Sequence, residues 1–236
     1  TEKEDYAKGL EYLEPALQIY LKRYGEIDED VAETYNLIGI AQFLRKEYDL
    51  AIEAYTQALK IYQHPDLEFI EGQTNALNNI GGAHFEAGET QKALDYYLRS
   101  MRLNQKMGDE NLDGLADNYT NIGLCYNELG QFNSAEAYLK KALKTSIDLF
   151  GEAHPENAYH YDNLARAHYL ENFVKSSPDA ISACYQQIDR LIDVMRQEQS
   201  AKGSKLFWTE EALPIYERAV QFSLIQYPEP QLDQGK

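Results

Sequence analysis

The chain is poor in cysteine: two of its 236 residues, Cys125 and Cys184, and they lie far apart. That excludes a disulfide framework and a CxxC zinc site, and it fits a reducing compartment. Basic residues are also scarce, 22 Lys and Arg against 39 Asp and Glu, for a formal charge of −17. Nucleic acid is therefore not an expected partner, because phosphates would be repelled unless a basic patch offset the field. The densest basic runs are only Leu21-Lys22-Arg23 and Lys140-Lys141. No stretch approaches the ~20 apolar residues that span a bilayer, and no signal-peptide pattern opens the chain. A cytoplasmic protein without a membrane partner is expected. The chain opens on Thr1 without an initiator methionine and reads as a piece of something longer. Alternating strand patterns are missing, so β and α/β folds have little support. What is present is 44% hydrophobic residues, enough for a packed core.

The dominant signal is a repeat with a step of 42 residues. Gly39, Gly81 and Gly123 keep that step, as do Ala51, Ala93 and Ala135. Ile38, Ile80, Ile122 and Leu164 follow it, and so do the small residues Ala41, Ala83, Cys125 and Ala167. Tyr55 and Tyr97 repeat with Leu139 in the third copy. A period of this size decides the fold before any local reading does.

Each unit contains two apolar stripes of helical spacing. In the first, Tyr35, Ile38, Ala41 and Phe43 to Leu44 form one, and Ala51, Ile52, Tyr55, Ala58, Leu59 and Tyr62 form the other. Gly88 and Gly130 lie between the stripes, where a helix end favours a residue free to take positive φ, and Lys46 holds that place in the first unit. Each unit therefore reads as two antiparallel helices. A glycine inside a helix costs about 1 kcal/mol relative to alanine. Close approach of the paired helix, with Ala51, Ala93 and Ala135 as its small residues, is the expected compensation.

These patterns resemble the tetratricopeptide repeat, in the longer form found in kinesin light chains and many bacterial sensors. The third unit matches best, with Tyr119, Ile122, Gly123, Tyr126, Gly130, Phe132, Ala135, Ala142 and Leu143. The second departs at Thr90 and Ser100, and the first carries Gln42 where an aromatic is usual. The resemblance implies an all-α, right-handed superhelix. The expected array covers residues 1–195: a partial repeat over 1–24, then repeats at about 32–64, 74–107, 116–149 and 158–195. In the partial repeat, Leu10, Leu13, Ala16, Leu17 and Tyr20 read as a second helix whose first helix is missing. Gly151 to Ala158 resembles a loop between repeats of the kinesin-light-chain type, with His154-Pro155 as a helix-start signal. Ala180, Ile181, Cys184 and Ile188 continue the fourth unit after a small insertion. Residues 196–227 read as a linker and a capping helix, with Ala212, Leu213, Tyr216, Ala219 and Val220 on one face, and 228–236 as a tail.

No residue set points to catalysis, a metal or a cofactor. His84 and His168 keep the repeat and read as half-buried side chains between helices; Cys125 and Cys184 occupy packing sites; Trp208 covers a helix end. Phosphate loops, HExxH and GxSxG motifs are missing. One constellation does stand out. Asn79, Asn121 and Asn163 are spaced 42 apart, preceded by Asn78, Thr120 and Asp162, with Asn36 as the nearest match in the first unit. Asparagine is a mediocre helix former, and its amide offers both donor and acceptor. In arrays of this family, residues at this position face a concave groove. Asn36, Asn78, Asn79, Asn121, Asp162 and Asn163 are thus the candidate groove residues, and bonding to a neighbouring repeat is the alternative role.

The expected function is a non-catalytic scaffold that binds a peptide or partner domain, with the acidic charge favouring a basic ligand. The alternative is the sensory or regulatory arm of a larger bacterial protein. The unit at Gly151 to Ala167 and the helix Ala212 to Ala219 resemble repeat regions that precede CHAT-type, caspase-like cysteine proteases, and arrays joined to histidine kinases look similar. On that reading any protease His and Cys lie beyond Lys236. The oligomeric state is left open.

Overall fold

A computed structural model describes residues 2–154, 156–172, 183, 185–190 and 193. Among them are eight α-helices and one 3-10 turn, and no strand. The chain divides into two compact units, Thr1–Leu129 and Gly130–Lys236.

The first unit holds α1 (Glu2–Tyr24), α2 (Glu29–Leu44), α3 (Tyr48–Tyr62), α4 (Ile70–Glu86), α5 (Thr90–Met107), the 3-10 turn Gly108–Asn111, and α6 (Leu112–Glu128). Each helix packs on the next in chain order, and α2 also touches α4. That is the nearest-neighbour stacking of a helical repeat protein. The first helices start two to four residues ahead of the repeat bounds read from the stripes. Asp28 explains this for α2: its side chain accepts from the Asp30 N–H at 3.0 Å and caps the helix.

The helix ends follow the repeat. Gly88 and Gly130 have φ of 79° and 70°, and Lys46 takes the same left-handed turn at 66°. After α2, the Lys46 N–H donates to Phe43 and the Glu47 N–H to Gln42; after α4, Gly88 donates to Phe85 and Glu89 to His84. These paired bonds satisfy carbonyls that a helix end leaves open.

Val31, Ala32, Ala51, Ala58, Ala76, Ile80, Ala83 and the rings of Tyr55 and Tyr62 form the core of this unit. Leu10, Leu13, Leu17, Tyr20 and Leu21 of α1 join it, as a second helix should. The helix-interior glycines make room for rings. A Cβ on Gly39 would lie 2.5 Å from Tyr55 Cε1, and one on Gly81 2.8 Å from Tyr97 Cε1. The space is thus taken by tyrosines one turn beyond the expected alanines, while Ala51 and Ala93 are simply buried.

The second unit holds α7 (Phe132–Phe150) and α8 (Glu156–Asn172), which pack together through Leu139, Leu143, Leu164 and Ala167. Gly151, at φ 88°, closes α7. Asn157 then fixes the loop: its amide donates to the carbonyls of Gly151 at 2.8 Å and Glu152 at 3.1 Å, and its oxygen accepts from Ser146 Oγ at 2.8 Å. His154 Nδ1 accepts from the Glu156 N–H at 3.3 Å, which agrees with its reading as a helix-start residue. Residues 185–190 are helical and Ile188 is buried, whereas Ala180, Ile181, Cys184, Trp208, the capping helix and the tail lie outside the described residues.

Candidate functional site

The first helices α2, α4 and α6 are tied to one another by side-chain amides. Asn79 Nδ2 donates to Asn36 Oδ1 at 2.9 Å, joining α4 to α2. Asn121 Nδ2 and Asn118 Nδ2 both donate to Asn78 Oδ1 at 3.3 Å, joining α6 to α4. Four of the six sequence candidates, Asn36, Asn78, Asn79 and Asn121, are therefore brought together in one half-buried ladder. Bonding between repeats is part of their role. It does not exhaust them, since an amide carries two N–H donors and a carbonyl with two lone pairs. The other two candidates, Asp162 and Asn163, are buried in the second unit, and Asn163 Nδ2 finds no partner among the described residues. Thr120 turns inward and donates to the Ala116 carbonyl.

Beneath the ladder lies a polar cluster that the repeat pattern does not announce. Asn118, 1% exposed, accepts from Asn104 Nδ2 at 2.7 Å and donates to Ser100 Oγ at 3.1 Å. Ser100 Oγ in turn donates to the Thr74 carbonyl, and Asn111 Nδ2 donates to Asn104 Oδ1. Every polar group removed from water here has a partner, as burial demands. The signal in the sequence was Ser100, a departure from the repeat, but nothing marked Asn118 as its partner.

At the N-terminal ends of α2 and α4 sits a cavity of about 270 Å³. Glu29, Asp30, Glu33 and Asn36 line it from α2, and Glu71, Gly72 and Asn75 from α4. Tyr62 and Phe69 complete the wall, their rings edge to face at 5.6 Å. Gly72 permits this, because a Cβ there would lie 2.6 Å from the Tyr62 ring. Tyr62 donates its hydroxyl to Glu33 Oε2 at 3.1 Å. Burial, then the charge and hydrogen bond of Glu33, push the pKa of that hydroxyl well above its ordinary value. The four carboxylates come from α2 and α4 and share the cavity only through the packing of those helices.

The histidines and cysteine behave as packing residues. His84 stacks on Tyr96 at 5.3 Å and meets Glu89 Oε2 at 2.6 Å, and His168 lies 3.7 Å from Glu136. Cys125 is buried, and burial pushes its thiol up to about 12, the opposite of an activated nucleophile. Among the described residues, no three His, Cys, Asp or Glu side chains are grouped to hold a metal, and no helix is long and apolar enough to cross a membrane.

The sequence profile described as tetratricopeptide repeat matches residues 1–64, 72–147 and 115–175. No curated protein matches the chain. Solved structures do. BtubC (BKLC) from P. vanneervenii is 16% identical with a TM-score of 0.61, over 100% of this chain and 96% of that one. A Podosopora anserina structure, described as a kinesin light chain with nearly identical TPR-like repeats, is 14% identical with a TM-score of 0.65, over 84% and 92%. The apo form of RapI is 16% identical with a TM-score of 0.64, over 97% and 85%. At such identities the likeness is one of fold. The resemblance to CHAT-associated arrays rests partly on Ala212 to Ala219, which lie outside the described residues.

Proposed function

The chain belongs to the tetratricopeptide-repeat family, whose repeats form protein-interaction scaffolds, and from this we propose that the amide ladder on α2, α4 and α6 is its ligand-binding surface. The ligand is a peptide or partner domain that presents backbone to the ladder. The observation that carries this reading is the arrangement of Asn36, Asn78, Asn79 and Asn121: half-buried amides, each with hydrogen-bonding capacity beyond what the inter-repeat bonds consume. Pre-oriented amides recognise a peptide backbone whatever its sequence. A net charge of −17 favours a basic ligand, through association rate more than affinity. The repeat fold is generally non-catalytic, and the proposed role is binding alone.

The test is the double substitution Asn79→Ala with Asn121→Ala. Each lost amide leaves a ligand polar group unpaired, at about 1–3 kcal/mol. Together they should weaken binding by a factor on the order of 10². Alanine is the better helix former, so the helical fold should persist. A partner captured from the native host, followed by calorimetry against both proteins, reads the effect. Unchanged affinity in a folded double variant would place the site elsewhere, and a collapse in melting temperature would make the ladder structural.

A further inference from the structure

Helix α2 departs from its sister helices on the side it presents beside the ladder. Glu29, Glu33, Asn36, Ile40 and Leu44 succeed one another by three or four residues and share one face, with Asp30 and Leu37 at its edge. The N-terminal half of that face is acidic and lines the cavity. The C-terminal half is apolar and open, with Leu37 at 42%, Ile40 at 36% and Leu44 at 42% exposure. The residues 42 further on in α4 are Asn79, Gly82 and Glu86, and those in α6 are Asn121, Leu124 and Glu128, so neither helix repeats the full apolar stripe. One turn beyond the Asn79–Asn36 bond, α4 offers only Gly82, where even an added Cβ would meet nothing nearer than the Tyr97 hydroxyl at 3.6 Å. The surface at Gly82 is low, and a ligand side chain has room there.

We propose that this face takes a basic amphipathic segment of a partner protein: a lysine or arginine enters the cavity between Glu33 and Glu71, and apolar side chains lie along Leu37, Ile40 and Leu44. The inference deepens the proposed peptide-binding function and rests on it. Two independent features select the occupant. The cavity wall carries four carboxylates and, among the described residues, no basic group, so a cation relieves repulsion that a neutral ligand leaves in place. The half-buried Phe69 ring in the same wall gives a guanidinium or ammonium a π-surface, while the hydroxyl of the buried Tyr62 fixes the Glu33 carboxylate for pairing. Beyond Asn36 the same helix turns apolar, and three exposed aliphatic side chains at turn spacing gain only from an apolar cover. From Glu33 to Ile40 the helix rises about 10 Å. An extended ligand covers that in about three residues. By the same measure Leu37 and Leu44 lie about two and five extended residues from Glu33, so the recognised pattern is a basic residue with apolar residues about two to five positions away.

The experiment uses the full chain and three fluorescein-labelled 12-residue peptides. One carries two arginines and three leucines at this spacing, the second has aspartate for arginine, and the third has serine for leucine. Anisotropy titrations are run at low and high salt. The first peptide should bind at least tenfold more tightly than the others. Glu33→Gln with Glu71→Gln should weaken it at least tenfold and remove most of the salt dependence. Leu37→Ser with Ile40→Ser should weaken it comparably and keep the salt dependence. Circular dichroism checks that every variant keeps the parent helicity. No binding by the first peptide, or binding indifferent to both variant pairs, overturns the inference. Peptide binding that is lost with Asn79→Ala and Asn121→Ala but indifferent to Glu33 and Leu37 sinks the inference and leaves the ladder reading standing. The reverse pattern supports the inference and removes the ladder from the site.

Discussion

Asn79 donates its amide to Asn36 across one repeat step, at 2.9 Å, although the two positions are 43 and not 42 residues apart. The next rung has the same offset, since Asn121 donates to Asn78, also 43 residues away. Asn36 and Asn78 are 42 apart, as are Asn79 and Asn121, so each first helix gives its acceptor one place before its donor and the rung itself repeats. Leu37, 42 before Asn79, stands where the first repeat needs no donor, because no described rung precedes it, and it joins the exposed apolar stripe instead.

The buried cluster should be the most sensitive polar site in the first unit. Asn118 holds Asn104, Ser100 and Asn78 at once. Asn118→Ala takes away the acceptor of the buried Asn104 amide and the donor to the buried Ser100 hydroxyl, and each such loss costs about 1–3 kcal/mol. The expected loss is about 2–4 kcal/mol in urea unfolding, several times that of Asn79→Ala, whose groups can turn to water. Equal losses from the two would mean that the cluster is hydrated.

What could be read from the sequence was what repeats. The step of 42 yielded the helix pairs, the stops at Lys46, Gly88 and Gly130, and the packing roles of His84 and Cys125. What could not be read depended on offsets between elements. Asn118 has Ala76 and His160 at its repeat positions, so no periodicity flags it. Glu33, Tyr62 and Glu71 come from three elements, and each alone looks like an ordinary helix or loop residue. Gly39 was legible as a site of close approach. That its neighbour is the Tyr55 ring required the rotation of α3 against α2.

Adjacent glycines should respond in opposite directions. A methyl on Gly81 would lie 2.8 Å from the Tyr97 ring, which is 5% exposed and has little freedom to retreat. Overpacking of this kind costs about 1–3 kcal/mol, against a helix-propensity gain of about 1 kcal/mol. Gly81→Ala should thus destabilise slightly and Gly81→Leu more. A methyl on Gly82 makes only an ordinary contact at 3.6 Å, so Gly82→Ala should stabilise by up to about 1 kcal/mol. Thermal melts of the three variants check the order. Because the first unit is built from nearest-neighbour contacts, hydrogen exchange in Gly81→Leu should loosen α4, α5 and their neighbours first.

Lys46 holds a left-handed turn at φ 66° that its Cβ disfavours. Glycine stands at the equivalent Gly88 and Gly130. Lys46→Gly should stabilise by about 1 kcal/mol, since relief of the left-handed strain outweighs the extra entropy of glycine in the unfolded chain. The Arg45–Glu47 pair at 2.8 Å spans this turn and should survive the change. A lower melting temperature would show that the lysine stem contributes packing that outweighs the strain.

His160 makes the second unit sensitive to mild acid. Burial lowers its pKa from 6.5 to about 4, and the side chain is only 3% exposed. The folded state thus keeps the imidazole neutral where the unfolded chain would protonate it. With a folded pKa below the unfolded one, the stabilisation is complete above about pH 6.5 and is lost as pH falls from there toward 4. By pH 5 the loss should reach about 2 kcal/mol. Glu89, held below its ordinary carboxylate range by hydrogen bonds to Lys92 and His84, titrates only in stronger acid and in the first unit, so the two effects separate by window and by place. Urea unfolding at pH 7, 6 and 5 should show a falling midpoint. His160→Gln, which keeps hydrogen-bonding capacity but has no proton to gain, should flatten that fall. Imidazole NMR should find the ring still neutral at pH 5 in the folded protein, and an ordinary titration near pH 6.5 would overturn the account.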